Sequence, residues 1–229
     1  MVERLPFTAS STGPDLCSPY LEELPITGAA ISVSGGSVQE TVCCSDNLAR
    51  QLDELQFELG EGPRWDAVSS RLPVMVADTA DDWHTRWPVF GNAVRALDVK
   101  ALFVFPLVLG AIDIGVVELY RTRPGKLSDV SQAVASDLTD KTSWTLLRRI
   151  LSQDPDHESA FGGVDGTSLS RREIHQATGM VLAQANINAT DALLLLRGYA
   201  FSEGLPLKDV ALSVIERQLD FTPKPQIAE

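Results

Sequence analysis

Histidine, cysteine and methionine number 3 each among the 229 residues. His84, His157 and His175 are scattered, and Cys17, Cys43 and Cys44 lack the spacing of a zinc, haem or iron–sulfur ligand set, so neither a metal nor a cofactor is expected. The cysteines are also too few and too close in sequence for a disulfide scaffold, and the expectation is reduced thiols. Positive charge is scarce: 19 Lys and Arg face 31 Asp and Glu, giving a net charge of -12. That balance excludes long-range attraction to nucleic-acid phosphates as the main binding force. No apolar run approaches the length of a membrane span, and the acidic stretch from Met1 to Leu24 has neither the basic start nor the apolar centre of a signal peptide. These absences point to the cytoplasm and away from membranes. Internal repeats are also absent.

What the chain does contain suits two compact domains, with 44% hydrophobic and 22% charged residues. Five β-rich runs, at 28–33, 39–44, 73–77, 101–108 and 115–121, alternate with helical stretches. Ser45 or Asp46 caps a helix carrying Leu48, Leu52, Leu55 and Leu59, and Pro88 begins another with Phe90, Val94 and Leu97. This order predicts an α+β domain, an antiparallel sheet with flanking helices. Cys43 and Cys44 end the second run, one thiol inward and one outward. Ser128 caps a long helix in which Val130, Val134, Leu138, Trp144, Leu147 and Leu151 form a stripe suited to a dimer contact, with packing onto the chain's own sheet as the competing use. Residues 152–169, rich in Asp, Pro and Gly, read as a linker.

Three short helices close the chain, each with an apolar stripe and each too short to be stable alone. Ser170 and Glu173 form a capping box for the first. At about 100° per residue, Ile174, Ala177, Thr178, Val181 and Ala185 share one face, and Arg172, Gln176, Gly179 and Ala183 share the opposite one. A merely solvated face would carry long charged side chains, and a mid-helix Gly costs about 1 kcal/mol relative to Ala. Small residues there admit close approach, either by another protein helix or by RNA. The second helix starts near Asn188 or Thr190, points Ala192, Leu195, Leu196 and Tyr199 inward, and leaves Leu194, Arg197 and Phe201 on its back. Gly204 stops it, and Leu207, Val210, Ala211 and Val214 form the inward stripe of the third.

The pattern from Ser170-Arg-Arg-Glu-Ile-His-Gln-Ala-Thr-Gly-Met-Val through Leu207-Lys-Asp-Val-Ala resembles the ANTAR domain. Over 170–220 the resemblance implies an all-α three-helix bundle that binds paired small RNA hairpins near terminators and acts in transcription antitermination. Arg171, Arg172, His175, Gln176, Gly179, Ala183, Arg197 and Phe201 would carry that binding through base edges, stacking and a few phosphates. Leu55-Gln-Phe-Glu-Leu-Gly-Glu-Gly-Pro, Pro73-Val-Met-Val-Ala-Asp, Arg86-Trp-Pro-Val-Phe and Gly115-Val-Val-Glu-Leu-Tyr-Arg are similar to the GAF domain, over 26–150, in the version that precedes ANTAR domains in actinobacterial-type regulators. The likeness implies a sensor for a small molecule, with Glu61, Arg64, Asp78, Trp83 and Trp87 as candidate ligand contacts. Gly60-Glu-Gly-Pro equally reads as a plain turn before a helix. Relatives often carry Cys after this Gly-Pro, where this chain has Arg64.

The resulting expectation is a homodimeric, signal-responsive RNA-binding antiterminator without catalytic activity. A DNA-binding regulator is the first alternative, weakened by the lack of a basic recognition helix. A GAF-fold thiol reductase using Cys43 or Cys44 is the second, lacking an accompanying base or resolving thiol.

Overall fold

The computed structural model describes residues 15–35, 38–80, 86–152 and 167–223. Helix α1 (Ser18–Glu23) leads into strands β1 (Gly28–Gly35) and β2 (Val38–Cys44), then helices α2 (Asn47–Leu59) and α3 (Pro63–Ser70). Strand β3 (Val74–Val76), helix α4 (Pro88–Ala93) and strands β4 (Ala101–Leu109) and β5 (Ile112–Arg121) follow, and α5 (Asp129–Ser152) ends this part. The strands form one antiparallel sheet in the order β2-β1-β5-β4-β3, as the alternating runs predict. Asp46 caps α2, its Oδ1 accepting the Ala49 amide at 2.8 Å.

Both sheet faces are covered. On one, Ile31, Phe103, Phe105, Val117 and Leu119 meet α1 and α5; on the other, Ala30, Leu102, Val104, Val116 and Tyr120 meet α2, α3 and α4. Period-2 alternation therefore sends Cys43 to the first layer and Cys44 to the second, so neither thiol turns to solvent as expected of one of them. The expectation of three reduced cysteines also fails, because Cys17 and Cys43 are joined in a disulfide. Sequence reading assigned no element before Gly28, yet α1 buries Tyr20 completely, with Leu16 and Leu24 beside it. That anchoring brings Cys17 to a Cα–Cα distance of 6.4 Å from Cys43, within bridging range.

Helix α5 differs from its expected stripe. It buries Ala135, Leu138, Thr139, Thr142, Ser143 and Leu146, while Val130, Trp144 and Leu151 are exposed. The polar residues bury cheaply because their hydroxyls find acceptors. Thr139 Oγ1 donates to the Ala135 carbonyl and Ser143 Oγ to that of Thr139, and Thr142 Oγ1 bonds the Tyr20 hydroxyl at 2.9 Å. Packing on the chain's own sheet thus takes the Leu138 face, and Trp144 lies on the other.

Helices α6 (Thr167–Ala185), α7 (Ala189–Glu203) and α8 (Leu207–Ile215) form the C-terminal bundle. Helix α6 starts one turn before the expected Ser170, and α5 runs to Ser152, so the segment between the helices is 153–166, which lies outside the described residues together with His157. Ile174, Ala177, Val181, Ala192, Leu196, Val210, Ala211 and Val214 are buried together, as their spacing predicts. Leu195 is the exception: it is exposed, and Ala200 takes the inward position one turn on from Leu196. Among the described residues no single helix is long and apolar enough to cross a membrane.

Gly115 pairs with Val33 and Leu107 at the centre of the sheet, where an added Cβ would lie 2.0 Å from the Ser32 carbonyl oxygen. Gly115→Ala should destabilise the fold by about 1–3 kcal/mol in urea unfolding, since β1 and β5 must separate. A wild-type midpoint would contradict so close an approach.

Candidate functional site

The C-terminal half of α2 lies between the sheet and the bundle, and its polar residues are buried. Asp53 has no exposed surface. Its Oδ1 accepts from Ser32 Oγ at 2.6 Å and Arg64 Nη1 at 2.5 Å, and its Oδ2 from Thr41 Oγ1 and Arg171 Nη2, both at 2.6 Å. Burial alone would raise its pKa, but Arg171, Arg64 and the two hydroxyls outweigh that and hold it well below the usual carboxylate range. One turn on, Gln56 Oε1 accepts the Arg64 amide and Gln56 Nε2 donates to Glu118 Oε1 at 2.6 Å. Glu118 Oε2 is buried without a hydrogen bond, 4.0 Å from Arg64 Nη1. Burial, stronger than the pull of that guanidinium and helped by Asp53, pushes its carboxyl up to about 7.

The same helix meets α6 and α7 through Phe57, which is buried in the bundle's apolar core. The Arg171 and Arg197 guanidinium groups lie 4.5 and 5.4 Å from its ring centre. Arg197 Nη2 donates to the Phe57 carbonyl at 2.5 Å, and its guanidinium also lies 5.2 Å from the Trp65 ring. His175 Nε2 is 3.2 Å from the Gln39 carbonyl oxygen, and burial lowers the pKa of its ring. Three of the eight expected RNA contacts, Arg171, His175 and Arg197, thus face the sheet-bearing domain. Arg172, Gln176, Gly179 and Ala183 remain exposed along α6, and a Cβ at Gly179 would meet no atom within 4 Å. Phe201 on α7 is 69% exposed.

The expected ligand contacts among the described residues each have partners within the domain. Arg64 is engaged with Asp53, and the Glu61 carboxylate accepts the Val89 amide at the start of α4. Asp78 Oδ1 accepts the Ala80 amide in a turn, and the buried Trp87 donates to Asp66 Oδ2 at 3.1 Å. Trp83 lies outside the described residues. Of the cysteines that the thiol-reductase alternative would use, Cys43 is bonded to Cys17, and the Cys44 thiol is pushed well up by burial and then by Asp53 and Glu118, which disfavours its thiolate.

Sequence reasoning missed Asp53, Gln56, Phe57 and Glu118. Glu118 carried a signal, as a lone charge inside Val116-Val-Glu-Leu-Tyr, a run too apolar to face water on either side. Asp53 and Gln56 carried none, because one turn of polar residues beside a leucine stripe reads as a solvated face.

Residues 167–215 match the ANTAR domain. The sheet-bearing part is similar to solved GAF domains. One, the GAF domain/HD domain protein of Geobacter sulfurreducens, shares 18% identity over 61% of this chain and 93% of that one, with a TM-score of 0.48. Another, the GAF domain of a phosphoenolpyruvate-protein phosphotransferase from Coxiella burnetii, shares 14% identity over 61% of this chain and 87% of that one, also with a TM-score of 0.48. No curated protein matches the chain. The architecture is thus an α+β domain built on one antiparallel sheet, followed by a helical bundle that matches the ANTAR domain.

Because Glu118 titrates near 7 when folded, above the ordinary 4.5, the folded state holds a proton there that the unfolded chain releases between those values. Linkage makes this group cost stability as pH rises through that window, on the order of 1 kcal/mol per unit. Asp53 acts oppositely, its contribution being lost only as pH falls below its ordinary 3.8. The stability of Glu118→Gln relative to wild type should therefore increase from pH 5 to pH 8 in denaturant titrations. A constant difference would show that Glu118 is ionised throughout.

Proposed function

We propose that the chain is a signal-responsive RNA-binding antiterminator whose ANTAR domain binds paired small hairpins near terminators under the control of its GAF-like domain. The ANTAR match supports RNA as the partner, and the exposed strip of Arg172, Gln176, Gly179 and Ala183 offers donors beside small residues that leave room for a nucleic-acid backbone. The observation that carries the control is the ion pair between Arg171 and Asp53, buried at 4% and 0% side-chain exposure. In this closed arrangement Arg171 is the latch, His175 and Arg197 are withheld from RNA, and a signal that favours an open arrangement releases them. The reading places the protein in the cytoplasm, where transcripts are, and assigns it no catalytic step, metal or cofactor. A small molecule acting on the GAF-like domain is one way to shift the balance.

Two outcomes test this. Arg172→Ala and Gly179→Leu should weaken binding to a paired-hairpin RNA while keeping the wild-type melting temperature. Arg171→Met should strengthen it, by about five- to hundredfold, because the latch is lost while Asp53 keeps Arg64, Ser32 and Thr41. If Arg171→Met instead binds more weakly, Arg171 is an RNA contact rather than a latch. If all three variants bind like wild type, the site is elsewhere.

We further propose that α5 makes the homodimer contact. Trp144 and Leu151 are 54% and 76% exposed, three and four residues from half-buried Leu147. Sedimentation should show a dimer at micromolar concentration and a monomer for Trp144→Asp. A monomeric wild type, with and without RNA, would refute this.

A further inference from the structure

A cleft of about 550 Å³ opens between the end of α2 and the outer side of α7. Its walls are mostly apolar, with Leu59 and Val89 from one domain and Leu194, Phe201 and Leu205 from the other. Three of these, Leu194, Phe201 and Leu205, are 64%, 69% and 47% exposed, which is unusual for large apolar side chains gathered in one concavity. The cleft's cation is Arg197. Among the described residues it pairs with no carboxylate: its partners are the Phe57 carbonyl and two aromatic rings, and its Nε is buried without a hydrogen bond. Asp53 and Glu118, the buried acids of the neighbouring network, are committed elsewhere, Asp53 to Arg64 and Arg171 and Glu118 to Gln56. Burial, with Arg64 and Arg171 nearby, lowers the Arg197 pKa to about 10, a mark of charge left uncompensated.

From this geometry we infer that the interdomain cleft binds a small amphipathic monocarboxylate, its apolar body against Leu194, Phe201 and Leu205 and its carboxylate on Arg197. The volume is that of ordinary small-molecule sites, and an apolar lining with one convergent charge is their usual composition. A single guanidinium, already donating one hydrogen bond, suits one carboxylate; a phosphate or nucleotide needs several donors. Glu58 is the acidic residue of the lining, and burial, then Glu54 and Asp209, push its carboxyl up. A ligand seated here touches both domains and so stabilises the closed arrangement. The inference rests on that arrangement and not on RNA recognition.

Octanoate serves as the probe and 1-octanol as its uncharged control, titrated into the full chain by calorimetry. Wild type should bind octanoate at least about tenfold more tightly than octanol, and octanoate should raise the melting temperature. Arg197→Gln should bind the two equally. Gly198→Phe should bind neither, because a Cβ at Gly198 meets no atom within 4 Å and a ring there fills the cleft while Arg197 stays in place. Arg172→Ala should bind octanoate as wild type does, so a failure of RNA binding is distinguished from a failure of this site. Equal affinity of wild type for octanoate and octanol, or octanoate binding retained by Gly198→Phe, overturns the proposal. Should Arg197→Gln fail to fold, the wild-type comparison and Gly198→Phe decide alone.

Discussion

A carboxylate withdrawn wholly from water remains ionised only if protein donors replace its hydration. Asp53 meets that requirement with four donors from four elements: Ser32 on β1, Thr41 on β2, Arg64 on α3 and Arg171 on α6. Satisfying one group therefore fixes how α2 lies on the sheet, where α3 turns, and how the ANTAR domain sits against its neighbour. Buried ion pairs add little net stability against apolar alternatives, but an arrangement that left any of these charges unpaired would be costly. The network thus selects one domain arrangement more than it strengthens the fold.

Much of this organisation was legible in the sequence because it rests on periodicity. The five strands, the Asp46 cap, the inward stripes of α6 and α8 and the exposed strip from Arg172 to Ala183 follow from spacing and cap chemistry alone. What was not legible depends on partners distant in the chain. Arg171 and Arg172 are adjacent and chemically alike, yet one is buried against Asp53, 118 positions away, and the other faces outward. Likewise, the Cys17 disulfide follows from the anchoring of α1 by Tyr20, whose hydroxyl bonds Thr142 across 122 residues. Leu195 was misplaced because both faces of α7 are apolar and the moment of the helix barely distinguishes them.

The acidic balance of the chain fits such a divided set of contacts. With little general attraction to phosphates, the RNA affinity proposed above would come from a few placed groups, and withholding two of them would have a large effect. A strongly basic domain would stay bound through its remaining charges whatever Arg171 did.

Phe57 has a consequence for how such proteins are assembled. It lies in the sheet-bearing domain, on the helix that carries Asp53, yet its ring completes the apolar core of α6, α7 and α8. The boundary of the three-helix domain in sequence is therefore not its boundary in packing. A foreign domain joined ahead of Thr167 would leave the bundle with an unfilled hollow and two guanidinium groups without their aromatic ring, unless it brought an equivalent of α2 with it. The two halves are therefore separable in sequence but not in packing, because one helix face belongs to both.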